Sequence, residues 1–260
     1  MKPRITHLFT RWFSPILLAS LVFGGCGEID DSDVNEPADT IQRKTLTPAT
    51  MNPTIVKLNA EHRENIFWIH DIDNLNFLRC LGFAVAENAI MTSSECIRNI
   101  DTGDLNDEVG ISRIVDDEIE TLIVTSSVSH PKRPISVLSI KPNSATLKPF
   151  ALATDPVGFH DIGSVFEGPS LADRDESNPF ELEFVGVRLE DFDTLTVDFQ
   201  GEGIVGFCSG DQGTPMFRNG RDGEIEVLGL LYGGDLSCKD QDVFTRTDGL
   251  KEWLVSVKVL

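Results

Sequence analysis

The residues best suited to chemistry lie in one stretch, Phe207-Cys208-Ser209-Gly210-Asp211-Gln212-Gly213-Thr214-Pro215-Met216-Phe217. It sets a hydroxyl, a carboxylate and a primary amide among glycines that let the chain turn tightly. A hydroxyl beside an imidazole and a carboxylate makes the donor set for acyl transfer: the hydroxyl attacks, the imidazole moves its proton, and the carboxylate holds the imidazole's tautomer. The candidate imidazoles are His62, His70, His130 and His160, all far from this stretch in the chain. Other chemistries find less support. No Cys-x-x-Cys and no phosphate loop occur, and no cysteine has a histidine at metal-ligand spacing. Asp116-Asp117-Glu118 lacks the spaced oxygen ligands of a calcium loop and reads as a solvated turn. The expectation is no metal and no cofactor.

These residues need a rigid frame, and the apolar pattern predicts one made of strands. After Pro53 the apolar residues keep a period near two in short runs: Ile66 to Ile69, Leu81 to Val85, Glu118 to Thr125, Ile135 to Ile140, Phe180 to Glu190, Thr194 to Phe199 and Glu224 to Tyr232. Val185-Gly186-Val187 breaks phase, which predicts a bulge. Short strands separated by Gly, Asn, Asp and Pro clusters argue for an antiparallel sandwich or barrel. Only the end is helical in pattern: Leu250, Trp253, Leu254 and Val257 recur at i, i+3, i+4 and i+7 behind Asp248, the expected cap.

The first residues read differently. A basic region from Lys2 to Arg11 precedes the apolar run Ile16 to Phe23, too short to span a membrane with such flanks, and then Gly24-Gly25-Cys26. Leu21-Val22-Phe23-Gly24-Gly25-Cys26 resembles a bacterial lipobox, with Phe23 where an aliphatic residue is usual. The resemblance implies cleavage before Cys26 and lipidation of its thiol. Gly27 in place of Asp implies the outer membrane, on its periplasmic or its surface side. The other reading is an ordinary secretory signal with Cys26 incidental. Residues 26–52, acidic and then Thr- and Pro-rich, read as a tether. The expected organisation is a signal peptide over 1–25, a tether over 26–52 and one domain over 53–260. The chain carries 42 acidic against 22 basic residues, a formal charge of −20. Such a chain repels nucleic acid and anionic lipid surfaces. Its acidity is that of a solvated surface, or it suits a basic partner.

Five cysteines occur, Cys26, Cys80, Cys96, Cys208 and Cys238. The last four permit three pairings, and composition does not choose among them. The stretch around Gln212 resembles Cys-x-Gly-Asp-Ser-Gly-Gly-Pro, which carries the nucleophile of trypsin-like (chymotrypsin-family) serine proteases. Cys80-Leu81-Gly82-Phe83-Ala84-Val85 and Ala89 to Cys96 resemble the strand and the histidine block of the same family. Val227 to Gly234 and Val243 to Leu254 resemble its last strands and closing helix. The resemblance implies an all-β fold of two antiparallel six-stranded β-barrels with a short C-terminal helix. It also implies disulfides Cys80–Cys96 and Cys208–Cys238, hence an oxidising compartment.

By the same resemblance the three catalytic positions fall at Glu95, Pro134 and Gln212, none of which suits its task. A carboxylate is a weak base for a serine hydroxyl, a proline cannot orient an imidazole, and an amide is no nucleophile. The backbone N–H groups of Gly210 and Gln212 match the oxyanion hole, whose space the Gln212 side chain can itself fill. Gly206 stands at the base of the specificity pocket and shows no side-chain preference. Tyr232, Gly233 and Gly234 match the substrate-binding wall. Asp211 matches the aspartate that pairs with a freshly cut N-terminus, yet Thr54-Ile55-Val56-Lys57 lacks a cleavable site, so Asp211 needs another partner or solvent. The expectation is a monomeric, non-catalytic domain that binds a protein or peptide. The alternatives are a peptidase with a relocated site and a purely structural envelope lipoprotein.

Overall fold

The computed structural model describes residues 56–71, 74–98, 109–141, 147–171, 182–201, 206–208, 210–220, 222–234, 238 and 241–260, with the backbone alone at 74–79. The signal and tether readings, Cys26 among them, lie outside these residues, as do Ser209, Ile55 and the start of the strand expected from Phe180.

Two sheets carry the domain, antiparallel throughout except for the short parallel pair β8–β13. The first contains β1 (Ile66–Asp71), β2 (Asn74–Ala86), β3 (Ala89–Ser93), β4 (Val109–Val115), β5 (Glu118–Leu122), β6 (Val124–Ser129) and β7 (Ile135–Ile140), in the order β5-β4-β1-β2-β3-β7-β6. Ile123 alone separates β5 from β6, so the outermost strands are one run of chain bent at a single residue, and the sheet curls as a barrel does. The second contains β8 (Ala151–Leu152), β9 (Val165–Ser170), β10 (Glu183–Phe192), β11 (Thr196–Gly201), β12 (Pro215–Asn219), β13 (Ile225–Gly234) and β14 (Gln241–Arg246). Its order is β12-β9-β10-β11-β14-β13-β8, and β12 also pairs with β13, which closes six strands into a ring. The β12–β13 pairing that closes the ring covers Ile225 to Leu230 of β13, and the strand runs on past it to Gly234.

Burial explains why the strand runs are apolar in the way they are. Phe67 and Ile69 point into the first barrel, while Ile66 and Trp68 join Leu81, Phe83, Phe217 and Leu230 in a core shared by both sheets. A strand buried on both faces reads as a continuous apolar run, not an alternation, and Ile66 to Ile69 does. The second barrel is filled by Phe199, Phe207, Phe244 and their neighbours, packed edge to face. Asp116 and Asp117 sit at φ of 51° and 65° between β4 and β5. That is the backbone of a tight two-residue hairpin, for which Asp is well suited.

Two local expectations are corrected. The register shift in β10 falls between Leu189 and Asp191, while Val185, Gly186 and Val187 pair evenly with Gly168, Glu167 and Phe166. The break in phase came from Val185 and Val187 both facing the core across the small Gly186. The C-terminal helix, Lys251–Ser256, has Leu250 and not Asp248 at its cap, with no side-chain capping bond. Asp248 is taken by Arg246, whose Nε and Nη2 donate to it at 2.8 and 2.9 Å. The helix still seats Leu254 and Trp253 on the shared core. A short first helix, Ala60–Arg63, is capped by Asn59, whose Oδ1 accepts the His62 N–H at 2.8 Å.

Candidate functional site

The turn before β12 is built on left-handed glycines. Gly210 has φ +106° and Gly213 φ +84°. At Gly213 space is as restrictive as conformation: a Cβ there would lie 2.0 Å from the Leu81 carbonyl oxygen and 2.5 Å from Thr92 Oγ1. The closeness follows from hydrogen bonds that clamp the turn between the barrels. Leu81 N–H donates to the Gln212 carbonyl at 2.9 Å, and Gly213 N–H donates to the Leu231 carbonyl at 2.8 Å.

Asp211 is 1% exposed and carries a carboxylate that must be satisfied internally. It accepts Ser170 Oγ–H at 2.8 Å, Leu171 N–H at 2.6 Å and Cys208 N–H at 2.9 Å. Those donors belong to β9 and its continuation and to the turn itself, so no newly cut chain terminus is needed to hold this carboxylate. The next residue turns its side chain back on the loop. Gln212 Oε1 accepts the Gly210 N–H at 2.8 Å. An amide oxygen thus occupies one of the two backbone donors expected to form an oxyanion hole.

The three expected catalytic positions converge through their neighbours. Glu95 is exposed on the 3-10 turn Ser94–Ile97. Ser94 N–H donates to the Pro134 carbonyl at 3.0 Å, and Cys96 Sγ lies 3.6 Å from the Gln212 carbonyl oxygen. Disulfides Cys80–Cys96 and Cys208–Cys238 hold the two sides. Each closes a loop long enough to stabilise the domain by about 3 kcal/mol in the loop-entropy picture.

On the pocket side, Gly206 N–H donates to the Cys238 carbonyl, and a Cβ at Gly206 would lie 3.0 Å from that oxygen and 3.3 Å from Asp242 Oδ2. Asp242 was not singled out from the sequence. It is 2% exposed, accepts the Phe207 N–H at 3.2 Å, and stands beside Gly234, its partner in the β13–β14 register. A carboxylate therefore lies between the two glycines expected at the base and wall of the pocket. The sequence shows only an aspartate beside the apolar pair Val243-Phe244; the glycine opposite it comes from the strand register. Tyr232 is partly exposed, and a Cβ at Gly233 would meet only open space. Beyond Leu231, β13 pairs with β14 on one side, and its other edge makes no ladder bond among the described residues.

Hydroxyls near these positions are engaged elsewhere or buried. Ser94 Oγ and Ser129 Oγ both meet Ser136 Oγ, at 2.8 and 2.7 Å, and Ser93 is fully buried. A hydroxyl–imidazole pair does exist in the first barrel. His70 Nδ1–H donates to the Asp71 carbonyl at 2.7 Å, leaving Nε2 to accept Ser112 Oγ–H at 2.8 Å, and Thr121 Oγ1 lies 3.1 Å beyond. Ser112 and His70 are 0% and 1% exposed, so no substrate reaches them.

His130 does structural duty. Its Nδ1 accepts the N–H groups of Lys132 and Arg133, and its ring meets Trp253 edge-on at 4.9 Å. Burial, then the cations Arg133 and Lys132, hold its pKa below the ordinary 6.5. A lowered folded pKa means that the unfolded chain takes up the proton first as pH falls. The stability that neutral His130 supports is intact above pH 6.5 and is lost on going down through the lowered folded value. The melting temperature of the wild type should therefore fall faster below pH 6.5 than that of a His130→Asn variant, as thermal melts over a pH series would show.

Among the described residues no helix is long and apolar enough to cross a membrane, and no three His, Cys, Asp or Glu side chains gather as a metal-ion set. Two barrels clamped about a glycine turn, with two disulfides flanking it, define the body of a trypsin-like peptidase. The family model for trypsin matches residues 53–254, most of the chain, and the chain belongs to the trypsin family.

Proposed function

We propose that this protein is a non-catalytic member of its family that binds an extended protein or peptide segment, held at a bacterial envelope by a lipid on Cys26. The observation that carries the reading is Gln212, which replaces the nucleophile and covers the Gly210 N–H with its own amide oxygen. Glu95 and Pro134 supply neither an imidazole nor its orienting carboxylate. What the frame retains favours binding. The open edge of β13 at Tyr232, Gly233 and Gly234 can accept a peptide as an added strand. The chain's formal charge of −20 fits a basic ligand and opposes nucleic acid.

Panning a displayed random-peptide library against the wild type and a Gln212→Arg, Gly233→Trp variant tests this reading. Selected peptides should carry a recurrent Lys or Arg and should bind the variant at least about tenfold more weakly, the loss expected when an added strand is blocked. Equal binding to both proteins, or no enrichment, would leave the cleft a relic of a structural lipoprotein. The buried Ser112–His70 pair lends no support to a relocated peptidase site, because both residues are sealed from solvent.

A further inference from the structure

The two disulfides differ in how the fold holds them. Cys80 and Cys96 are buried, and Cys80 pairs with Ile69 in the β1–β2 ladder. Cys208 and Cys238 are both partly exposed, and Cys238 lies in the connection between β13 and β14. Cys238 also has φ +59°, the left-handed region that costs an L-residue stability and that glycine usually fills. Of the four bridged cysteines, it alone has that backbone.

The two ends of this bridge are anchored unequally. Beside Cys208, Phe207 is 1% exposed, packs on Phe244 in the second barrel and donates its N–H to Asp242. Cys208 N–H donates to the buried Asp211 carboxylate at 2.9 Å, and the Cys208 carbonyl accepts the Asp211 N–H at 3.0 Å. That end keeps its place without the bridge. Cys238 belongs to no strand, and its carbonyl accepts the Gly206 N–H at 2.6 Å. The bridge therefore ties the connection that follows Gly234, the end of β13, to the segment leading into the Gln212 turn.

We propose that Cys208–Cys238 is a thiol switch: a dithiol reductant opens it while Cys80–Cys96 stays closed, and its opening loosens the β13 edge from Tyr232 to Gly234. A thiolate of the reductant attacks the Cys238 sulfur, the S–S bond breaks, and Cys208 leaves as a thiolate that takes up a proton. The reductant's second thiol gives up its proton and attacks the mixed disulfide, which releases Cys238 as a thiolate that is protonated in turn. Two electrons pass to the protein, and the reductant ends as a disulfide. Opening lets Cys238 leave the left-handed region, which favours the reduced form, and no such relief exists at Cys80 or Cys96. That the loosened edge is a peptide's docking strand rests on the proposed function, and a peptide that must first order its strand binds more weakly.

Titration of the intact protein with dithiothreitol, then N-ethylmaleimide labelling and peptide mass mapping, tests the switch. Cys208 and Cys238 should become labelled at about tenfold less reductant than Cys80 and Cys96, the order expected from relief of one left-handed residue. Hydrogen exchange of that partly reduced protein should rise at Gly206 and at Tyr232 to Gly234 and stay unchanged in β1 to β3. A Cys208→Ser, Cys238→Ser variant should show the same exchange pattern without reductant and still melt cooperatively. Labelling of all four cysteines together, or of Cys80 and Cys96 first, would overturn the proposal. So would unchanged exchange at Gly206 and Tyr232 to Gly234, or loss of the cooperative melt when this one bridge opens. Peptides selected on the oxidised protein should bind the reduced form about fivefold more weakly. Retained peptide affinity beside raised exchange would leave the switch standing and count against the cleft as the peptide's site, so the two readings fail separately.

Discussion

Gly213→Ala should cost more than about 4 kcal/mol, the range reached by backbone clashes and buried-network losses rather than by ordinary substitutions. Two independent causes act at this position. The left-handed φ of +84° disfavours any Cβ, and the Cβ would sit 2.0 Å from a backbone oxygen that cannot rotate away. The Leu81 carbonyl belongs to β2, whose own N–H at Leu81 holds the Gln212 carbonyl, so relief of the clash breaks the clamp between the barrels. Gly210→Ala provides the internal comparison. Its φ of +106° is equally unusual, yet nothing lies within 4 Å of the added Cβ. That variant should lose only about 1–2 kcal/mol of left-handed strain. Denaturant unfolding of both variants checks the pair, and equal losses would mean that the steric clash is not decisive.

Asp211→Ala should be nearly as damaging, at about 3–5 kcal/mol, because it strands a hydroxyl and two backbone N–H groups in a buried site. Those donors, Ser170, Leu171 and Cys208, come from two segments that the carboxylate ties together. Asp211→Asn should recover only part of the loss, since one oxygen becomes an NH2 facing donors. Ser170→Ala removes a single bond and should cost about 1 kcal/mol. Chemical denaturation ranks the three, and a near-neutral Asp211→Ala would show that the turn is held by the disulfide and glycine geometry alone.

Much of this architecture was legible from residues that admit few alternatives. Cys80, Cys96, Cys208 and Cys238 sit in blocks whose neighbours fixed their place, and Gly213 and Asp211 belong to a turn with one workable backbone. Local features decided by competition were not legible. Asp248 read as the helix cap, but the helix starts at Lys251 with Leu250 at its cap, and Arg246 holds Asp248 with two hydrogen bonds. The phase break at Val185 to Val187 resembled a bulge because both valines face one core, while the true shift lies four residues later. Asp242 escaped notice because its role depends on strand register: only the pairing with Gly234 brings its carboxylate beside Gly206. The left-handed backbone at Cys238 was likewise hidden, because that conformation usually goes to glycine.

Intact-mass measurement after incubation with a fluorophosphonate probe tests the proposed lack of acyl-transfer chemistry most directly. The probe requires a hydroxyl activated by a base that it can reach. The wild type should show no adduct, and Gln212→Ser should show none either, because Glu95 and Pro134 leave the new hydroxyl without an imidazole. One stoichiometric adduct on the wild type, mapped to any serine, would contradict this and identify a working peptidase.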